Sequence, residues 1–396
     1  VTGSLAWLFG TQFFGVKLGL DNTRALLEAA DNPHDRLGIF HVAGTNGKGS
    51  ACAMLDAIFL AGGLRSGLYT SPHLCDFRER VRVDGAMISP GTTEEILSLI
   101  RCSAIGINPT FFEIATVLAL EHFAREHCDV VALETGMGGR LDATNAVTPL
   151  VSVITPVAVD HAQWLGATVG EIAAEKSGII KPGVPVVSAP QVPEVARVIA
   201  GRARELDCPL AFVETPYRGE VGLAGGHQKW NAALAVAAVR AARLDISGEA
   251  VARGLREVKW PARFQRVGSR FVVDGAHNPH AAASLVATWK ETFGAEKATV
   301  IFGALDDKNS GGMIELLAEV AREFFFVPVA SPRSADPWTF SAPVACQTFR
   351  GLAQAIEAAA RPPLLITGSL FLAGEALSLL LPESFSPATP GCATLQ

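Results

Sequence analysis

The stretch HVAGTNGKGS, residues 41–50, holds three glycines, a lysine and a serine in the seven positions from Gly44 to Ser50. Between a strand and a helix, such a turn can bind phosphate. Its backbone N–H groups converge on the anion, and the new helix adds its positive end. Lys48 can reach terminal phosphates, and the Ser50 hydroxyl is placed for a magnesium ion. The standard phosphate loop reads G-x-x-x-x-G-K-[ST]. Here Val42 stands six residues before Lys48, and Gly49 separates Lys48 from Ser50. The turn is either a variant of that loop or a helix entry with a solvated lysine. The second reading leaves three entropically costly glycines without a purpose. Glu134 ends the apolar run DVVALE, the kind of strand terminus where ligands gather in an open parallel sheet.

The elements that must position these residues are legible as alternating apolar runs and helical patterns, which predict an α/β protein. IFHVA (39–43), SGLYT (66–70), DVVALET (129–135), LVSVITP (150–156) and VPVVSAP (184–190) are expected strands. Several are almost wholly apolar, as for strands covered on both faces. GKGSACAMLDAIFLAGG (47–63) is an expected helix stopped by Gly62 and Gly63, and FFEIATVLALEHFAREH (111–127) and WNAALAVAAVRAA (230–242) are two more. In KWPARFQRV (259–267), Pro261 and a change of pattern suggest a hinge. A second alternating set follows: RFVVDGA (270–276), ATVIFGA (298–304), EFFFVPV (323–329) and PLLITGSL (363–370). The expected organisation is a P-loop-type, mostly parallel sheet domain over residues 1–257, a hinge over 258–267, and a smaller doubly wound, Rossmann-like C-terminal domain over 268–396. The tail, 382–396, is turn-rich and expected to fray.

Composition excludes several classes. Hydrophobic residues make up 49% of the 396 and charged residues 18%, which argues for buried cores and against disorder. A net charge of −6 gives no reason to expect nucleic acid as a partner, so an anionic ligand must be held by local charge and a metal. The seven cysteines, at 52, 75, 102, 128, 208, 346 and 392, are odd in number and include no C-x-x-C pair. They read as reduced thiols of a cytoplasmic protein. No apolar stretch reaches membrane length, and VTGSLAWLFG lacks the form of a signal peptide.

GTNGKGS resembles the phosphate loop of the Mur ligase superfamily, whose members join an amine to a carboxylate using ATP. The glycine after the lysine is similar to the folylpolyglutamate synthase and dihydrofolate synthase branch. YTSPHL (69–74), ERVRVDG (79–85), LETGMGGRLDATN (133–145), ITPVAVDHAQWLG (154–166) and EKSGIIKPG (175–183) resemble further segments of that family. So do HQKWNAALA (227–235), PARFQRV (261–267) and DGAHNPHAA (274–282). The matches keep the family's order, and an ordered set is far more specific than one motif.

The resemblance implies an amide ligase that adds L-glutamate to dihydropteroate, to reduced folates, or to both. ATP would energise the carboxylate as an acyl phosphate, with magnesium at two sites. It implies ATP contacts from Gly44, Thr45, Asn46, Gly47, Lys48, Gly49, Ser50, Asn231, Arg263 and Asp274, with His277 reaching phosphate or the incoming amino acid. It implies metal contacts from Ser50, Ser71, Glu134 and His161, and a carbamylated Lys176. Lys48, His161 and Lys176 would carry the catalysis. Phe112 would stack on the pterin, with Thr70, Leu141 and Asp142 around it. Taken singly, each residue has a plainer alternative. Ser71 before a proline suits a turn, Glu134 an exposed strand end, and His161 a satisfied hydrogen-bonder. Lys176 suits a surface lysine paired with Glu171 or Glu175, and Arg263 a salt bridge. Asn278 suits a helix cap, and Phe112 plain core. ATP is expected to lie between the domains, whose closure would complete the site, and the resemblance favours a monomer.

Few residues separate AFVETP (211–216) from GGHQKWN (225–231), where many relatives carry a longer stretch, so the edge of the first domain is expected to be trimmed. A few N-terminal residues are expected to be missing. Two other functions share part of this pattern: a Mur-type ligase acting on a cell-wall nucleotide precursor, and a P-loop ATPase that couples hydrolysis to partner binding.

Overall fold

A computed structural model describes residues 3–11 and 19–386. Most of the tail expected to fray, residues 387–396, lies outside these. The chain divides into two compact units. The first comprises the chain through Ser71, Arg78–Gly222 and Lys229–Val258; the second comprises Pro72–Phe77, Leu223–Gln228 and the chain from Lys259.

The first unit is built on β1 (Gly38–Ala43), β2 (Ser66–Tyr69), β3 (Val81–Val83), β4 (Ala86–Met87), β5 (Val130–Glu134), β6 (Val151–Ile154), β7 (Val186–Ser188) and β8 (Leu210–Phe212). They form one sheet in the order β4-β3-β2-β5-β1-β6-β7-β8. All neighbours are parallel except β2–β3 and β3–β4. The chain leaves β1 toward β2 and β5 on one side and later crosses to β6 on the other. The carboxyl end of β1 is therefore a topological switch point, where open α/β sheets bind ligands. The antiparallel edge pair β3–β4 was not among the expected strands. Asp84 and Gly85 link its two strands with φ of 50° and 79°, as a tight hairpin of Asp-Gly type requires. The short edge strand β8 was also unexpected, and no strand lies between Phe212 and Gly226 among the described residues.

The second unit carries β9 (Gln265–Val267), β10 (Phe271–Val273), β11 (Ala298–Phe302), β12 (Ala321–Phe326), β13 (Ala345–Thr348) and β14 (Leu364–Thr367). Their order is β13-β12-β11-β14-β10-β9, and only β9 runs antiparallel to its neighbour. The end of the segment expected to be a hinge is thus an edge strand, with Gln265 opposite Val273 and Val267 opposite Phe271. Alternate residues of the central strands bury into opposite faces. Val300, Phe302, Phe324, Phe326 and Leu365 join one core, while Ile301, Phe325, Leu364 and Ile366 join the other. This period of two, apolar on both faces, is what a doubly wound sheet needs. Among the described residues no helix is long and apolar enough to cross a membrane.

Candidate active site

The phosphate-type loop emerges from the carboxyl end of β1 and runs into helix Lys48–Ala61. Gly44 and Gly47 have φ of 150° and 89°. A Cβ on Gly44 would lie 1.8 Å from Thr155 Oγ1, and one on Gly47 would lie 2.7 Å from Asn231 Oδ1. Both positions therefore need glycine for backbone reasons and for space. The second contact brings Asn231, of helix Gly226–Ala241, against the loop. The loop is braced from the segment after β6. Thr45 N–H donates to Pro156 O at 3.0 Å, and Thr45 Oγ1 donates to Ala158 O at 2.9 Å. Ser50 is buried in the first turn of the helix. Lys48 Nζ folds back toward Thr45 O at 3.3 Å.

Next to β1 in the sheet, β5 ends at Glu134, which is buried and sits opposite Val42. Ser71, just past β2, donates its backbone N–H to Glu134 Oε2 at 3.0 Å. The geometry thus joins these two expected metal ligands directly. His161 stands in the segment after β6, before helix Ala162–Leu165. Its φ of 53° is uncommon for a residue with a side chain, and its N–H donates to Asp160 Oδ1 at 2.9 Å. Among the described residues no three His, Cys, Asp or Glu side chains cluster as a metal site by themselves. The four residues expected to hold metal offer one carboxylate, two hydroxyls and one imidazole. An oxygen-dominated set of that size suits magnesium, which binds through one or two carboxylates plus phosphate and water.

The surface-lysine reading of Lys176 is overturned. Its side chain is buried, and Nζ donates to Gly44 O at 2.9 Å. Burial first, and the nearby Lys48 second, push its pKa down to about 7. Glu175 pairs instead with Arg140 at 2.7 Å, and Glu171 closes a capping box with Thr168. That box starts the helix Val169–Ser177 that carries Lys176.

Phe112 is placed by a second capping box, between Thr110 and Glu113, at the start of helix Phe111–Arg125. Phe111 is buried, but Phe112 is only partly so. The Phe112 ring lies 6.0 Å from that of Tyr69 and so close to Gly136 that a Cβ there would meet Cζ at 2.5 Å. Phe112 is thus less enclosed than Phe111, with Tyr69 and Gly136 against its ring. Thr70 is buried and donates its N–H to Arg80 O at 3.1 Å. Leu141 is half-buried beside Asp142. Asp142 is buried and spends its carboxylate on its own loop, accepting from Met137 N–H at 2.8 Å and Thr144 N–H at 3.0 Å. Burial nonetheless pushes its pKa up.

In the second unit, Asp274 follows β10. Its two oxygens accept from Phe264 N–H at 2.7 Å and Ala276 N–H at 2.8 Å. Burial raises its pKa, and Arg263 opposes the rise. The Arg263 guanidinium lies over Gly275, where a Cβ would be 2.8 Å from Nη1. Ala262 and Phe264, on either side of Arg263, have φ of 54° and 47°. Such values are uncommon for residues that carry a Cβ. His277 Nδ1 is 2.9 Å from Gly275 O. Asn278 caps helix Pro279–Phe293 by accepting from Ala281 N–H at 2.9 Å.

Three contributors were not singled out from sequence. Arg80 is buried, with its guanidinium 5.2 Å from the centre of the Phe111 ring; burial pushes its pKa down, and the Glu134 carboxylate opposes that fall. Thr155 braces Gly44, and Gly136 gives Phe112 its floor. Arg80 and Gly136 lie inside the ERVRVDG and LETGMGGRLDATN segments, so the signal existed but did not single them out.

Residues 262–370 match the Mur ligase, glutamate ligase domain family. The chain is 37% identical over 415 residues to a probable bifunctional folylpolyglutamate synthase/dihydropteroate synthase of Haloferax volcanii, covering 93% of this chain and 49% of that protein. It thus spans about half the length of that relative. It is 35% identical over 366 residues to the dihydrofolate synthase/folylpolyglutamate synthase of Bacillus subtilis, covering 83% of this chain and 85% of that one. Of solved structures, E. coli FolC in complex with DHPP and ADP superposes with a TM-score of 0.90 at 30% identity, covering 97% of this chain and 99% of that one.

Proposed function

The chain belongs to the folylpolyglutamate synthase/dihydrofolate synthase family of ATP-dependent glutamate ligases, and we propose that it joins L-glutamate to dihydropteroate, to reduced folates, or to both, through an acyl phosphate. One observation carries this reading: a phosphate-type loop at the sheet's switch point, flanked by the Ser71–Glu134 pair and underlain by a buried lysine. The ADP in the related FolC complex supports an adenine nucleotide as a ligand.

The N–H groups of Gly44 to Ser50 receive the phosphates, and Lys48 neutralises charge that develops as the terminal phosphoryl transfers. Asn231, packed on Gly47, positions the nucleotide. Ser50, Ser71, Glu134 and His161 would hold magnesium at two sites, where the ion would supply positive charge to offset that of the phosphate oxygens. The Lys176 amine adds to the carbon of carbon dioxide, one C=O π pair moves to oxygen and the nitrogen gives up a proton, leaving a carbamate; a buried lysine with a pKa of about 7 has the neutral amine this needs at physiological pH. Phe112 stacks on the pterin, with Thr70, Leu141 and Asp142 shaping its surroundings. Arg263, Asp274 and His277 contact the nucleotide or the incoming amino acid. The protein works as a monomer in the cytoplasm.

The test is ADP release with magnesium. Turnover should require glutamate together with dihydropteroate or tetrahydrofolate, and the two pterins assayed side by side define the preference. Release indifferent to both would make the chain a simple ATPase. Asp274→Ala should raise the KM for ATP roughly tenfold and leave that for the pterin substrate unchanged. It should also lower the melting temperature, because two backbone N–H groups lose their acceptor. An unchanged KM for ATP would remove Asp274 from the nucleotide site.

A further inference from the structure

Thr144 links the interior of a strand to the loop after β5. Its hydroxyl lies 2.5 Å from Asp142 Oδ1 and 2.7 Å from Nε2 of His41, in the middle of β1. His41 and Thr144 are fully enclosed, and Asp142 is 6% exposed. A hydroxyl has one proton. Backbone N–H groups of Gly136, Met137 and Thr144 aim at the Asp142 carboxyl and oppose the rise in its pKa, which keeps it an acceptor, so Thr144 gives its proton to Asp142 and accepts one from His41. That fixes the imidazole as the tautomer with its proton on Nε2. Nδ1, buried, has no hydrogen-bond partner and is left as a bare acceptor. The ring is neutral: burial, then Lys181, push its pKa down to about 3. The polarity of the chain thus runs one way, from His41 through Thr144 to Asp142.

The Asp142 carboxylate ties the two ends of a short loop, Met137 on one side and Thr144 on the other. Phe112 rests on Gly136, the residue before Met137. Orientation of this carboxylate therefore sets the floor beneath the Phe112 ring. We propose that His41 and Thr144 are positioning residues for the pterin site, a buried donor relay that orients Asp142 and the Gly136–Thr144 loop for substrate. The proposal rests on the reading of Phe112 and Asp142 as pterin contacts. The β1 histidine then serves the substrate side of the reaction, although its strand leads into the phosphate loop.

The experiment is steady-state ADP release by the full chain, with KM measured separately for dihydropteroate (or tetrahydrofolate, whichever the wild type uses) and for ATP, beside the melting temperature. Thr144→Val removes both halves of the relay and keeps the shape. It should raise the pterin-substrate KM roughly tenfold while the ATP KM stays within about twofold. Thr144→Ser should restore it. His41→Phe should raise the same KM about threefold, and His41→Gln, which keeps an N–H donor, should recover most of the loss. The double variant His41→Phe with Thr144→Val should be no worse than Thr144→Val alone, because the acceptor for His41 is already gone. A purely structural role would lower the melting temperature without separating the two KM values. Unmoved or equally moved KM values, no recovery in the Ser and Gln variants, or full additivity would each overturn the proposal. If Thr144→Val does not fold, the His41 pair decides by the same KM split. Wild-type turnover indifferent to pterin would fell the functional reading and this proposal together, whereas pterin-dependent turnover with unmoved variants fells this proposal alone.

Discussion

Lys48→Ala is expected to lower kcat by roughly a thousandfold or more while the melting temperature stays the same or rises slightly. The two halves of this result have one cause. Lys48 is the first residue of helix Lys48–Ala61, so its cation sits at the positive end of the helix dipole. It also raises the cost of protonating the buried Lys176. Neither arrangement favours the empty fold. The charge makes sense only when an anion lies in the loop, where the developing negative charge of phosphoryl transfer would meet it with no further reorganisation. Alanine removes that stabilisation and keeps the helix, for which it is the best former. Kinetics and thermal denaturation on the same preparation check both halves. Near-normal kcat would show that the loop does not grip the transferring phosphoryl group.

Lys176→Met should cost at least about a hundredfold in kcat, with partial recovery on adding a small carboxylate such as acetate or propionate. Methionine fills the buried position but cannot add carbon dioxide. Bicarbonate labelled with ¹³C should give a carbamate resonance in the wild type that the variant lacks. The sign of the pH dependence follows from the direction of the shift. The pKa falls from 10.5 to about 7 on folding, so between those values the unfolded state binds more protons than the native state. Stability contributed by the unmodified lysine therefore rises with pH across that window, and the burial penalty is felt in full below about pH 7. Denaturant unfolding in carbonate-free buffer should show this gain from pH 7 to pH 9 in the wild type and not in Lys176→Met. Activity should likewise fall as pH drops below about 7, because the protonated amine cannot hold carbon dioxide. A variant with wild-type kcat, or a wild type without a labelled carbamate, would eliminate the modification.

Much of the architecture was legible because it is written in local pattern. The apolar runs around His41, Leu133, Val153 and Val187 all became parallel strands, displaced by a residue or two at their ends. The phosphate loop was legible because glycine is conspicuous where the backbone must take positive φ. The hidden strands were short or lay at edges. Val81–Val83 with Ala86–Met87, Leu210–Phe212, Gln265–Val267 and Ala345–Thr348 each span four residues or fewer, too few for a periodicity to stand out. Asp84-Gly85 was the one strong local sign among them, and it was read only as part of a longer segment.

What the residues alone determined is the set of parts: a glycine turn with Lys48, an acidic strand end at Glu134, a lysine at 176, and two alternating series of strands and helices. What tertiary structure decided is which parts meet. Lys176 reaches Gly44 across 132 positions of sequence, Ser71 reaches Glu134 across 63, and His41 reaches Thr144 across 103. Nothing in the local chain distinguishes Lys176 from a solvated helix lysine, or Phe112 from its buried neighbour Phe111. Burial and partnership arise only when strand order brings distant loops to one end of the sheet. Charge state follows from that enclosure, since a side chain's pKa answers to the atoms around it and not to the residues beside it in sequence.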